Sequence, residues 1–314
     1  MNTEHKKPLA IVLAADNNYA FALGVTLLSL KENSPKLFEQ AEFIVYTNGL
    51  DEANRAALSK IAPNIAIKDF KLPFDASKIP THNRYTELTL SRYECFNMLG
   101  DYAQVLWLDI DLFIQQEAVD ILKFGSTGLA LAPDFNWISA NFCKAPPKGF
   151  DFRRQNYNAG VMLLGDALPK PRLIAEWCYK QTKKYADCLR WPDQGILNIA
   201  AQHFKLQIKE LPQTFNAQPF NFPVKIKDAI ILHAMGENKF WNNYPMPKWF
   251  ALHRRWTNLG GQPMPPQKTN LFARTTFKMK LFLEKNPILW AIFKYFNKTR
   301  FKEANKKHLR ALEK

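Results

Sequence analysis

Apolar residues fall along this chain in two alternating rhythms. Short β-favouring runs, Leu9–Ala15, Phe43–Tyr46, Ile65–Phe70 and Val105–Leu108, are separated by stretches with helical spacing. In the first such stretch, Tyr19–Lys31, residues Phe21, Val25, Leu28 and Ser29 share one face. The second opens at Asp51-Glu52-Ala53-Asn54, with acids in its first turn, and runs to about Ile61. The third, Thr86–Leu99, sets Leu88, Arg92 and Cys95 on one side. Strand and helix in alternation predict a largely parallel sheet covered by helices. Further strands are predicted at Leu129–Leu131, Val161–Leu164, Leu206–Ile208 and Ala229–Leu232, and helices at Ile174–Tyr185 and Gly195–Ala200. Pro133–Gln155 has weak periodicity, contains Pro146-Pro147 and several aromatics, and reads as a long functional loop.

The pattern changes after Tyr244. Residues 244–267 carry Pro245, Pro247, Pro263, Pro265 and Pro266 and read as a linker or wrapping segment. Beyond them Phe272, Phe277, Leu281, Phe282, Leu289, Trp290, Phe293 and Phe296 are interleaved with lysines. That predicts two amphipathic helices broken near Asn286-Pro287. The expected organisation is a catalytic domain over 1–267 and a basic aromatic tail over 268–314.

Charge sharpens that division. The net charge of the 314-residue chain is +15. Residues 268–314 hold 10 Lys and 3 Arg against 3 Glu, so most of the excess lies in the tail. A cationic, aromatic, amphipathic tail suits a membrane surface. It would equally grip an anionic polymer, so a polyanion- or nucleic-acid-binding protein whose main domain is catalytically inactive is the competing reading. No sequence-reading nucleic-acid module is visible, and no specific nucleic acid is expected. Hydrophobic content of 47% supports a sizeable core.

Lys6-Lys7 followed by Pro8–Ala15 imitates a short signal peptide, but Asp16-Asn17-Asn18 interrupts the apolar run. The same residues make a good first strand and turn, which a cleaved leader would destroy. No apolar stretch reaches transmembrane length. Cys95, Cys143, Cys178 and Cys188 form no C-x-x-C pair. They read as free thiols in a reducing compartment. The expected location is cytoplasmic, peripheral on the cytoplasmic face of the inner membrane.

The chemistry begins at Asp109-Ile110-Asp111, where an apolar strand surfaces in two carboxylates one residue apart. Hard oxygen ligands so spaced suit Mg²⁺ or Mn²⁺, ions usually shared with substrate phosphates. Taken alone, such a pair is more often a solvated turn. Ala14-Ala15-Asp16-Asn17-Asn18-Tyr19 follows the first strand. Its Asp can accept a pyrimidine N–H and its Tyr can stack on the ring, or Asp16 or Asn17 can simply cap the next helix. Tyr157-Asn158-Ala159-Gly160 leads into an apolar strand with room for a ligand near the backbone, or is a plain turn. Asp193 and Gln194 precede a helix and are sugar contacts or a cap. The strand ending at His233 offers a third metal ligand, and Lys239 a point charge for phosphate.

In this order the segments resemble glycosyltransferase family 8, retaining enzymes of GT-A fold. The resemblance is nearest to the bacterial branch that adds galactose or glucose to lipopolysaccharide or lipooligosaccharide. It covers about residues 8–245. Its A-A-D-x-N-Y motif matches Ala14–Tyr19, and its helix arginine matches Arg92. L-D-x-D matches Leu108–Asp111, N-A-G-V matches Asn158–Val161, and D-Q matches Asp193-Gln194. H-x-x-G-x-x-K-x-W matches His233, Gly236, Lys239 and Trp241.

The resemblance implies a Rossmann-like, mixed but mostly parallel sheet flanked by helices. It implies Mn²⁺, with Mg²⁺ as the alternative, on Asp109, Asp111 and His233. Donor contacts fall to Ala14, Asp16, Asn18, Tyr19, Ile110 and Ala159 besides Asp109. Arg92, Asn158, Asp193 and Gln194 surround the donor sugar, with Arg92, Asp193 and Gln194 as catalytic residues, and Gly236 and Lys239 hold the diphosphate. Asp134 lies near the acceptor. The implied activity moves galactose or glucose from its UDP-sugar to a hydroxyl of a glycolipid or polysaccharide. Two departures stand out: Gly195 replaces the Asp of a D-Q-D motif, and Asn17 replaces the second Asp of the first motif.

Overall fold

The computed structural model describes residues 6–75, 86–219 and 224–312. The chain opens with β1 (Lys7–Ala14), α1 (Ala20–Asn33), α2 (Pro35–Glu39), β2 (Glu42–Thr47), α3 (Glu52–Ile61) and β3 (Ala66–Asp69). It continues through α4 (Glu94–Met98), β4 (Tyr102–Leu108), β5 (Leu112–Ile114), β6 (Leu129–Trp137) and β7 (Gln155–Gly165). Then come α5 (Pro171–Tyr185), α6 (Gln194–His203), β8 (Ile208–Glu210), β9 (Ile231–His233), α7 (Pro247–Asn258), α8 (Leu271–Lys285) and α9 (Pro287–Leu312).

Seven strands form one sheet in the order β3-β2-β1-β4-β7-β6-β8. β1 pairs parallel with both β2 and β4, as β3 does with β2 and β8 with β6. β7 alone runs antiparallel, between β4 and β6. The expected mixed, mostly parallel sheet flanked by helices is therefore found. Residues of β1 are buried on both faces, because one core lies against α1, α3 and α7 and a second against α4, α5 and α6. A central parallel strand reads as an unbroken apolar run for this reason. Gly24 of α1 admits the Trp256 ring of α7, which any Cβ there would overlap.

Several boundaries differ from the sequence reading. The segment predicted helical over Thr86–Leu99 is a tight 3-10 turn over Glu87–Tyr93 before it opens into α4. Ser91 Oγ donates to Leu88 O at 2.6 Å inside that turn and competes with the α ladder. Pro133–Gln155 is not one long loop. β6 runs on to Trp137, a 3-10 turn covers Ile138–Asn141, and β7 begins at Gln155. Register shifts at Leu131/Ala132 and Pro133/Trp137 hide the alternation that would have marked a strand. The proline-rich 244–267 contains α7, with Pro247 at its first position, where proline starts a helix rather than breaking one. The strand expected at Leu206–Ile208 lies at Ile208–Glu210.

A small second sheet matters most for function. β5 pairs antiparallel with β9, with Leu112 opposite His233. Ala234 N donates to Asp111 O at 3.0 Å, so the two chain segments are fastened beside the acidic pair.

The tail forms two helices that meet at Asn286, whose Oδ1 accepts from the backbone of Ile288 and Leu289 at 3.0 and 3.2 Å. Phe277 of α8 is buried against Tyr244. A buried Lys280–Glu284 pair at 3.4 Å reaches the body, where Glu284 accepts from Ile226 N at 3.0 Å. Phe301 of α9 stacks on Phe135 of β6. No helix among the described residues is long and apolar enough to cross a membrane.

Candidate active site

A cleft of about 560 Å³ opens where β1, β4 and β9 end and β7 begins. It lies beyond the carboxyl ends of the parallel strands, the usual ligand position in open α/β sheets. The cleft is lined by Ala14, Asp16, Tyr19, Arg92, Asp109, Ile110, Asp111 and Asp134. Asn158, Ala159, Asp193, Gln194, His233, Gly236 and Lys239 complete the predicted set in its wall. Asn18 does not join it; that side chain is exposed in the turn after β1.

At its floor, one ligand atom from each of Asp109, Asp111 and His233 lies within 4.8 Å of the others. Asp109 and Asp111 come from the end of β4, and His233 arrives on β9, which β5 aligns with them. His233 Nε2 stands 3.2 Å from Asp111 Oδ1 and 3.7 Å from Asp109 Oδ2. Its Nδ1 faces Asn216 Oδ1 at 2.8 Å. Two carboxylates and an imidazole suit a divalent cation such as Mn²⁺. Gly160 makes the cluster attainable: a Cβ there would overlap the His233 ring and come within 2.9 Å of Asp109 Oδ2.

Cations surround this acidic floor. Lys239 pairs with Asp111 and donates to Ala234 O at 2.8 Å. Burial raises the Asp111 pKa, but Lys239 and His233 outweigh it and hold the carboxyl well below the usual carboxylate range. Arg92 is 4% exposed and bridges Asp109 and Asp193, with its guanidinium over the Trp107 ring. Trp107 Nε1 also donates to Asp109 Oδ1 at 2.7 Å. The Arg92 Nε has no hydrogen-bond partner among the described residues, and Arg92 lines the cleft. Gly236 has φ +73°, so the loop after β9 turns in a conformation that favours glycine.

Asp16 caps the short turn Asn17–Tyr19, accepting from Tyr19 N at 3.2 Å, and it faces the cleft. Asn17 turns away, bonding Asp51, Asn54 and Gln262. Asp134 is buried beside Asn156 and Phe135 N, and burial pushes its carboxyl up. Gly195 is tightly enclosed: a Cβ would stand 2.8 Å from Asn141 Cβ. The departure at 195 is thus matched to its neighbour.

Sequence reasoning passed over Trp107, Asn216 and Asn141. Trp107 is two residues before Asp109 and points to the same side of β4, a period-two signal that was available. Asn216 and Asn141 carry no local signal; only folding brings them to the site.

Fold and site together define a GT-A glycosyltransferase. The family model described as glycosyl transferase family 8 matches residues 10–244, and the chain belongs to that family. A Haemophilus influenzae protein, provisionally described as a glycosyltransferase, is 24% identical over 245 residues, spanning 74% of this chain and 72% of its own. The galactosyltransferase LgtC, solved with donor and acceptor sugar analogues, superposes with a TM-score of 0.61 at 23% identity, over 82% of this chain and 98% of that one. The bifunctional glycosyltransferase WbbM gives 0.62 at 17% identity, over 84% of this chain and 53% of that one.

Proposed function

We propose that this protein is a retaining hexosyltransferase that moves galactose or glucose from a UDP-sugar to a hydroxyl of a glycolipid or polysaccharide, as in lipopolysaccharide biosynthesis. The observation that carries the reading is the convergence of Asp109, Asp111 and His233 with Lys239 on one cleft floor.

In this reading Asp109, Asp111 and His233 hold Mn²⁺ or Mg²⁺. The ion would act as a Lewis acid on the diphosphate leaving group. Lys239 exchanges part of its contact with Asp111 for phosphate oxygens and neutralises the charge that develops there. Gly236 lets the backbone approach the same diphosphate. Asp16 accepts the uracil N–H, and Tyr19 packs on the ring. Arg92, held by Asp109 and Asp193, turns one of its remaining N–H groups to a sugar hydroxyl. Gln194 and Asn158 flank the anomeric carbon, and an amide oxygen there stabilises the cationic sugar as the bond to phosphate lengthens. The acceptor hydroxyl attacks on the face the leaving group vacates and passes its proton to the departing phosphate oxygen of UDP, which balances the step and retains configuration. Asp134 lies on the acceptor side.

The test is UDP release from UDP-galactose, UDP-glucose and their N-acetyl forms, with Mn²⁺ and with chelator. Turnover is expected with at least one UDP-hexose and to vanish on chelation. Asp109→Asn and Asp111→Asn are each expected to lower it about 10²–10³-fold. Full turnover in either variant would sink the reading.

A further inference from the structure

Between the metal cluster and Asp134 runs a line of side-chain amides whose direction is dictated by the backbone. Asn158 Oδ1 accepts from Gly160 N at 3.0 Å, which identifies that atom as the oxygen. The atom of Asn216 that faces it, 2.7 Å away, must then be the nitrogen. Asn216 therefore turns its oxygen to His233 Nδ1, and that nitrogen must carry the proton. Nε2 is then the ring nitrogen that faces Asp109 and Asp111, the one placed to reach a metal held there.

The line continues the other way. Asn158 Nδ2 donates to Gln194 Oε1 at 3.0 Å, and Ala159 N donates to the same oxygen at 3.3 Å. Gln194 Nε2 donates to Asn141 Oδ1 at 3.1 Å. Asn141 Nδ2 donates to Ile138 O at 3.0 Å and to Asn156 Oδ1 at 2.8 Å. Asn156 Nδ2 ends the line on Asp134 Oδ2 at 3.2 Å. Every link donates in the same sense, from the imidazole to the carboxylate. Asn141, Asn156, Asn158 and Asn216 are all buried, so water does not compete for these bonds. Gly195 leaves the space that Asn141 fills.

We infer that Asn216, Asn141 and Asn156 are positioning residues, joined through Asn158 into one unidirectional chain that locks the Gln194 amide and the Nδ1–H form of His233. The inference rests on the proposed transferase reading for its consequence, not for its geometry. A locked amide keeps the Gln194 oxygen beside Asn158 and Ala159. A flipped one would put N–H groups there, and these repel a cationic sugar centre that the oxygen attracts. Aligned amides also polarise one another, so breaking one link weakens the rest.

Asn216→Asp is the sharpest test, because it changes no volume. The carboxylate still accepts from His233 but no longer donates to Asn158, whose amide is drawn round to it. Gln194 is then expected to lose its orientation although residue 216 makes no hydrogen bond to it. The readout is the side-chain amide signal of Gln194 in an isotope-labelled protein, assigned by its loss in Gln194→Ala. It is expected to shift in Asn216→Asp and in Asn156→Leu, which breaks the chain at its other end. An unmoved Gln194 signal in both variants overturns the inference.

The kinetic readout is a split. Asn156→Leu is expected to keep Mn²⁺-dependent UDP affinity within about twofold while kcat falls about tenfold, the scale of one lost hydrogen bond. Adding it to Gln194→Ala should cause no further loss, since both act through one group. Additive losses would mean that Asn156 acts independently of Gln194 and would overturn it. If the wild type turns over no UDP-sugar, the functional reading fails, while the amide signals still decide the chain.

Discussion

Gly160 carries a constraint out of proportion to its size. It lies in β7 against His233 and Asp109, and a Cβ there has nowhere to go. Gly160→Ala is expected to cost about 1–3 kcal/mol by overpacking. If Mn²⁺ binds as proposed it should raise the melting temperature of the wild type, and Gly160→Ala is expected to abolish that rise, because His233 is displaced from the carboxylates. A variant that is still stabilised by Mn²⁺ as fully as the wild type would show that the three ligands do not act together. Lys239→Gln separates charge from fold at the next position. Its carboxylate partner Asp111 keeps His233, so folding is expected to survive, whereas UDP affinity should fall about tenfold through the lost point charge. Calorimetric titration with UDP and Mn²⁺ measures it; unchanged affinity would remove Lys239 from the proposed diphosphate site.

Short elements do much of the positioning. β5 is three residues long, yet its pairing with β9 sets His233 opposite Leu112 and next to Asp111. No periodicity can reveal a strand that short, which is why the sequence suggested His233 as a ligand without showing what aligns it. α2 is similarly brief and is held by Glu117, which accepts from Ser34 Oγ at 2.5 Å and from Lys36 N and Val119 N at 3.1 Å. Burial alone would raise the Glu117 pKa, but hydrogen bonds from Ser34 and the backbone outweigh it, and the carboxyl is lowered from its ordinary 4.5. A carboxyl lowered on folding stabilises above its unfolded pKa and loses that contribution as pH falls through the folded one. Glu117→Gln is therefore expected to cost about 1–2 kcal/mol at neutral pH. The deficit should shrink as urea melts are taken below pH 4.5, and a deficit constant down to pH 3 would refute the assignment.

At the scale of the molecule, the tail has two faces. Phe277, Trp290 and Leu309 are buried, while Phe272, Phe282, Tyr295 and Phe296 are each more than 60% exposed. The tail also carries most of the chain's positive charge. Apolar rings and lysines presented together suit an anionic bilayer surface, where the acceptor of the proposed reaction would reside. Replacing Phe272, Phe282 and Phe296 with serine is expected to weaken binding to vesicles containing anionic lipid about tenfold or more, leaving the melting temperature and UDP affinity unchanged. Equal vesicle binding by this variant, or loss of DNA binding alone, would favour the polyanion-binding reading of the tail.

Strand–helix alternation, the metal-binding residue types and the order of the motifs are local properties. A single chain carries them in its spacing, and they were enough for the sheet, the family and a set of candidate residues of which all but Asn18 line the cleft. The Asp109-x-Asp111 pair is one such case, since both members come from the end of one strand. What folding alone decided lies between segments distant in sequence. It brought His233 across to β5, made β7 run against its neighbours, and threaded Asn216, Asn141 and Asn156 into one line. An asparagine has the same local signature whether it faces water or another amide. Its role is set by burial and by which backbone N–H meets its oxygen, and both are settled only when the chain is packed.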